Sequence, residues 1–220
     1  MVFVERLSTS VLKSALIHVC DLIVASEPML TELDSIIGDG DHGYGMRDGF
    51  SELRKYLAER EFDSIYELLL NSGLELVKTM GGASGVIFGT LFIGGLSMTA
   101  GKSELEAIDV VKYFDESAKS ISRRGRTHAG DKTMLDALLP AVEAMYHTLT
   151  TSDRISDVLA AAYEGALIGV EQTKTMVPRS GRSKNFRDKA LGLPDPGAVS
   201  TSIIFKGLYE GISVNNRKRD

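Results

Sequence analysis

One cysteine, Cys20, is all that the 220 residues offer, which excludes an internal disulfide and fits a reducing compartment. Its neighbours Ile17, Val19 and Val24 predict a buried, inert thiol. Tryptophan is absent, and that absence says nothing about function. A membrane-length apolar run is also missing. The stretch from Val11 to Ala25 is interrupted by Lys13, His18 and Asp21, and no signal-peptide pattern precedes it, so a cytoplasmic protein away from the membrane is expected. There is no basic excess. A net charge of −5 argues against a general nucleic-acid binder, and the basic run 216–219 reads as a frayed terminus. Alternating β-branched runs are lacking as well, so strands are not expected.

What is present is a helical pattern. A hydrophobic content of 43% with 25% charged residues is that of an ordinary globular protein. At this length one domain spanning 1–220 is expected, with no linker to divide it. From Asp131 to Leu149, Leu135, Leu138, Leu139, Val142, Met145, Tyr146 and Leu149 recur at threes and fours. Val158, Leu159, Ala162, Ala166 and Val170 form a second stripe within 156–170. Further amphipathic segments cover 8–25, 61–80, 86–98 and 104–121, and the residues after Pro196 start a final helix. Ser64–Glu67 and Ser103-Glu104 read as helix N-caps with acidic first turns. An all-α fold of about eight helices joined by short loops follows. Two segments break the pattern: an aspartate-glycine loop near residue 40, and a long loop from Pro178 to Gly197.

The first break is the most informative part of the chain. Residues 33–46 read LDSIIGDGDHGYGM, with Asp34, Asp39 and Asp41 among four glycines. Crowded carboxylates raise one another's pKa unless a cation neutralises them. Gly38, Gly40 and Gly43 allow the tight fold that lets them converge. Hard oxygen ligands select Mg2+ or Ca2+ over zinc or copper. An EF-hand starting at Asp39 fails, because Tyr44 and Phe50 stand where glycine and glutamate are needed. A Mg-nucleotide site is the reading that remains.

Two imperfect Walker A sequences, at 95–103 and 125–133, are rejected because neither follows a strand. Lys102 there reads as a surface lysine at a helix start. Gly81-Gly82-Ala83-Ser84-Gly85 is a better phosphate cradle, since a glycine-rich turn entering a helix presents free N–H groups. Gly130 to Met134 reads as an ordinary acidic helix start that includes a lysine, and Asp195-Pro196-Gly197 starts the last helix in the same manner. Arg182, in the long loop, could reach a phosphate or stack on a base. The histidines at 18, 42, 128 and 147 lack metal spacing, and only His42, beside Asp41, sits in an informative place. No nucleophile–base pair stands out, so no catalytic residue is assigned. The chain reads as holding a nucleotide without machinery for an acceptor.

Taken in order, LDSIIGDGDHG (33–43), GGASG (81–85), GDKTMLDALLP (130–140) and DPGAVS (195–200) resemble the ADP-binding L subunit of dihydroxyacetone kinase, the DhaL family. The resemblance spans most of the chain. It implies a barrel of about eight antiparallel, up-and-down helices with the nucleotide at one end. It implies that Asp34, Asp39 and Asp41 ligate two Mg2+ ions. It also implies that His42, Gly43, Tyr44, Gly45, Ala83, Ser84, Gly125, Met134, Arg182, Asp195, Pro196 and Gly197 surround ADP or ATP. The implied partners are a phosphohistidine protein of the sugar phosphotransferase system and a separate K subunit holding dihydroxyacetone. Self-association into a homodimer is left open. The chain departs from the pattern at Gly45, where asparagine is usual, at Val86-Ile87-Phe88, at 184–190 and at Leu193. Two alternatives stand beside this one. The first is an ATP-consuming L subunit of a kinase for another triose or a tetrose. The second is a non-catalytic sensor that reports its ADP state to a transcription regulator.

Overall fold

The computed structural model describes residues 5–181, 183–186 and 189–217. Nine α-helices dominate the described residues: α1 (Thr9–Ala25), α2 (Glu27–Ile37), α3 (His42–Ala58), α4 (Ile65–Met80), α5 (Gly82–Ile93), α6 (Ala107–Gly125), α7 (Leu135–Thr148), α8 (Ile155–Thr173) and α9 (Pro196–Arg217). The only ladder among them pairs β1 (Leu7–Ser8) with β2 (Glu104–Leu105) in antiparallel register.

Local chemistry sets the helix boundaries. Ser8 caps α1, accepting from the Val11 amide, and buries Val11, Leu12, Ala15, Leu16, Val19, Cys20 and Ile23 on one face. Cys20 is buried as expected, and burial pushes its thiol pKa up. Ser64 caps α4 through the Glu67 amide, while the Glu67 carboxylate accepts from the Asp63 amide. No single helix among the described residues is long and apolar enough to cross a membrane. α1 and α2 reach that length only together, and the chain bends by 55° between them.

Several expected boundaries move. Ser103-Glu104 is not a cap, because Glu104 and Leu105 are extended against β1. α6 starts instead with a reciprocal box in which Glu106 accepts from the Asp109 backbone and Asp109 accepts from the Glu106 amide. Lys102 pairs with Asp109 at 2.9 Å at this start. The segment 33–46 is not one loop. Asp34 lies in the last turn of α2 and His42 opens α3, leaving only Gly38 to Asp41 between the helices. The helix expected at 86–98 begins at Gly82 and ends at Ile93, with a single 3-10 turn at Leu96–Met98 beyond it.

The packing order closes on itself. α1 packs on α3, each helix from α3 to α8 packs on the next, and α9 returns to α1. α2 lies against α3 and α9. Gly211 of α9 lets the backbones approach, since a Cβ there would sit 2.7 Å from the Ala15 Cα. A small apolar cavity of about 40 Å3 is lined by residues such as Leu16, Leu91, Phe114 and Leu208. Connections that follow α2, α4, α6 and α8 all contribute to one cleft.

Candidate functional site

The cleft has a volume of about 730 Å3. Asp34, Asp39 and Asp41 line it, and one ligand oxygen from each lies within 4.8 Å of the others. Glycine geometry makes this convergence possible. The Asp34 carboxylate is folded back over Gly38, where any Cβ would collide with it, and Gly40 adopts a φ of +75°. The Asp34 oxygen Oδ2 also accepts from the His42 amide at 3.2 Å. Burial, and then the charge on Asp34, raise the pKa of Asp41. Three oxygen donors at the C-terminal end of α2 suit a hard divalent cation, because the helix end is itself partially negative.

α3, α5, α7 and α9 begin around the same cleft. α5 is the most open of these starts. Gly81 and Gly82 have φ of +62° and +58° with nothing near a would-be Cβ, and no side chain caps the first turn. The amides of Gly82, Ala83 and Ser84 precede the first possible helical acceptor, so they are available to an anion. At α9, Asp195 caps the helix by accepting from the Ala198 amide at 2.8 Å, and Pro196 follows where no donor is needed. Val86, Ile87, Phe88, Ile121 and Met134 give the cleft an apolar wall.

His42, Gly45, Ala83, Ser84, Gly125, Met134, Asp195, Pro196 and Gly197 all line the cleft. The His42 ring is held 2.9 Å from the Ser200 hydroxyl and tilted against Phe88. Burial pushes its pKa down against the opposing pull of Asp34. Gly43 and Tyr44 are not among the lining residues. Gly43 is buried against Thr31 and Glu27 of α2, and Tyr44 is exposed beneath the Arg47 guanidinium. Arg182 lies outside the described residues.

Several further groups at the cleft carry little mark in the sequence. Arg124 and Thr133 line the cleft. Asp136 accepts from the Gly130 amide at 2.5 Å and the Thr133 amide at 2.8 Å, fixing the loop before α7. That loop delays the start of α7 to Leu135, because Lys132 inside it has a φ of +60°. Lys132 was expected to be an ordinary helix-start lysine, yet it is only 1% exposed. Its place inside GDKTMLDALLP is the sole sequence sign of this.

The DAK2 domain model matches residues 36–210. A PEP-dependent dihydroxyacetone kinase ADP-binding subunit DhaL of Escherichia coli K12 is 34% identical over 188 residues, covering 86% of this chain and 90% of that protein. A counterpart in Listeria innocua, from PEP-dependent dihydroxyacetone kinase 1, is 32% identical over 185 residues, covering 84% and 87%. Among solved structures, the dihydroxyacetone kinase from C. freundii in complex with AMP-PNP and Mg2+ superposes with a TM-score of 0.73 at 25% identity. That match covers 95% of this chain and 35% of the larger one.

Proposed function

The chain belongs to the DAK2-domain family, in its DhaL branch of dihydroxyacetone-kinase subunits, and from that premise we propose that it carries a phosphoryl group on Mg-bound ADP. Asp34, Asp39 and Asp41 would hold Mg2+, two ions in this proposal, and the amides at Gly82 to Ser84 would be available to phosphate oxygens. Ile87, Phe88 and Met134 would offer the base an apolar surface, and Asp195 to Gly197 and Gly125 would line the rest of its site. His42, held 2.9 Å from the Ser200 hydroxyl, would brace the metal end, and burial disfavours its charged form.

Bound ADP would supply the oxygen that accepts a phosphoryl group from a phosphohistidine protein of the sugar phosphotransferase system, and a hydroxyl of dihydroxyacetone, held on a separate K subunit, would receive that group in exchange for its proton. Metal supplies charge neutralisation on the transferring group, and positioning supplies most of the rest. Among the described residues no acceptor-holding group is assigned beside the phosphate motifs, and transfer needs the acceptor oxygen in line. The partner supplies it.

The convergence of three carboxylates and an uncapped helix start in one cleft is the observation that favours this reading. Asp39→Ala tests it. Loss of one ligand leaves the other two aspartates facing the nucleotide's charge with a poorly held cation. Mg-dependent ADP binding, measured by calorimetry, should be abolished while helicity by circular dichroism is retained. Unchanged affinity would refute the metal assignment.

A further inference from the structure

The Lys132 ammonium ties two parts of the cleft wall together. It donates to the carbonyl oxygens of Ala190 at 2.6 Å, Leu193 at 2.8 Å and Met176 at 3.4 Å. Met176 precedes the segment 177–189, while Ala190 and Leu193 follow it, so one side chain gathers both ends of that segment. The neighbouring backbone repeats the closure, with the Gly192 amide donating to the Lys174 carbonyl at 2.8 Å. A further bond, from the Arg179 amide to the Asp131 carbonyl at 3.0 Å, pins the segment to the loop that holds Lys132. Ser180, Gly181 and Ser183, within the segment, line the cleft.

A buried ammonium is costly unless each of its three donors is satisfied. Here three carbonyls satisfy them, and the Asp195 carboxylate opposes the effect of burial on the charge. A planar guanidinium cannot reproduce three donors diverging from one atom. Asp136 fixes the backbone that presents Lys132, through the Gly130 and Thr133 amides. A cationic clamp of this kind orders a wall rather than meeting a phosphate, because all its donors are spent on carbonyls.

We infer that Lys132 is a positioning residue for nucleotide retention: by clamping the chain at Met176 and at Ala190 and Leu193 it holds Ser180, Gly181 and Ser183 against the bound nucleotide and slows its departure. The inference rests on the nucleotide-carrier reading above. A group that holds a wall in place acts on dissociation more than on encounter.

Stopped-flow displacement of a fluorescent ADP analogue with Mg2+ tests it on the full chain. In Lys132→Met, which keeps the apolar stem and removes the donors, dissociation should be about tenfold or more faster and association nearly unchanged. Lys132→Arg, which keeps the charge, should fall between that variant and the wild type. It serves as the reading if Lys132→Met fails to fold by circular dichroism. A folded variant with wild-type dissociation, or one whose only change is a lower melting temperature without nucleotide, overturns the clamp. If the wild-type chain binds no Mg-ADP, the carrier reading itself fails, and the clamp with it.

Discussion

Asp195 is a buried carboxyl whose pKa is raised from 3.8 to about 7. Burial is the main cause and the Asp136 charge adds to it, while the Ala198 and Gly197 amides and Lys132 pull the other way. The folded state therefore holds this proton more tightly than the unfolded chain. The stability it contributes is complete below pH 3.8 and is lost as the pH rises through about 7. Without nucleotide, the melting temperature should fall across that window, and Asp195→Asn should make the fall shallower. Asparagine keeps an oxygen for the Ala198 amide, so the cap survives. Thermal melts at stepped pH decide it, and an unaltered slope would mean that Asp195 does not titrate there. At this scale the sequence was legible where groups are close along the chain. Asp34, Asp39 and Asp41 fall within eight positions, and the structure does bring them together. Lys132 was illegible because its partners lie 44, 58 and 61 residues away. Gly43 and Tyr44, counted with the cleft for their place beside His42, turn away from it because successive helical residues point in different directions.

Between elements, one tight dependence is where α8 meets α7. A Cβ on Gly169 would overlap the Asp136 carbonyl oxygen and crowd the Ala137 Cα. Backbone cannot yield there as a flexible side chain can, so Gly169→Ala forces the helices apart at a cost of about 1–3 kcal/mol. The gain in helix propensity, up to about 1 kcal/mol, offsets only part of it. Gly45→Ala is the control, for its Cβ would meet nothing within 4 Å. Differential scanning calorimetry should show a lower melting temperature for Gly169→Ala and no loss for Gly45→Ala; equal behaviour would refute the packing argument. Helices with strong stripes and side-chain caps, such as α1 and α4, were readable from sequence because their determinants are local. β1 and β2 were not, since two residues per strand cannot show alternation and their pairing joins positions 7 and 105. The start of α7 was misplaced for a related reason: Asp136 holds the preceding residues in a non-helical turn that periodicity alone does not reveal.

For the molecule as a whole, ligand and stability are linked through the cleft. A ligand bound to the native state alone adds RT ln(1 + [L]/Kd), about 4 kcal/mol at a thousandfold excess over Kd. For a domain of this size that raises the melting temperature by roughly 8–16 °C. ADP with Mg2+ should give this shift, and EDTA should remove much of it, because the aspartates repel one another without a cation. Coincident melts in nucleotide-free protein would show that the cleft does not bind ADP usefully. The closed packing order has a consequence for synthesis. α1 leaves the ribosome early, but Ala15 and Val19 acquire their neighbours Gly211 and Gly207 only when α9 emerges. At about 5–20 residues per second, the nascent chain carries that apolar flank uncovered for some ten seconds or more. Helix order thus sets a window of vulnerability during translation that shuts only when α9 docks along α1.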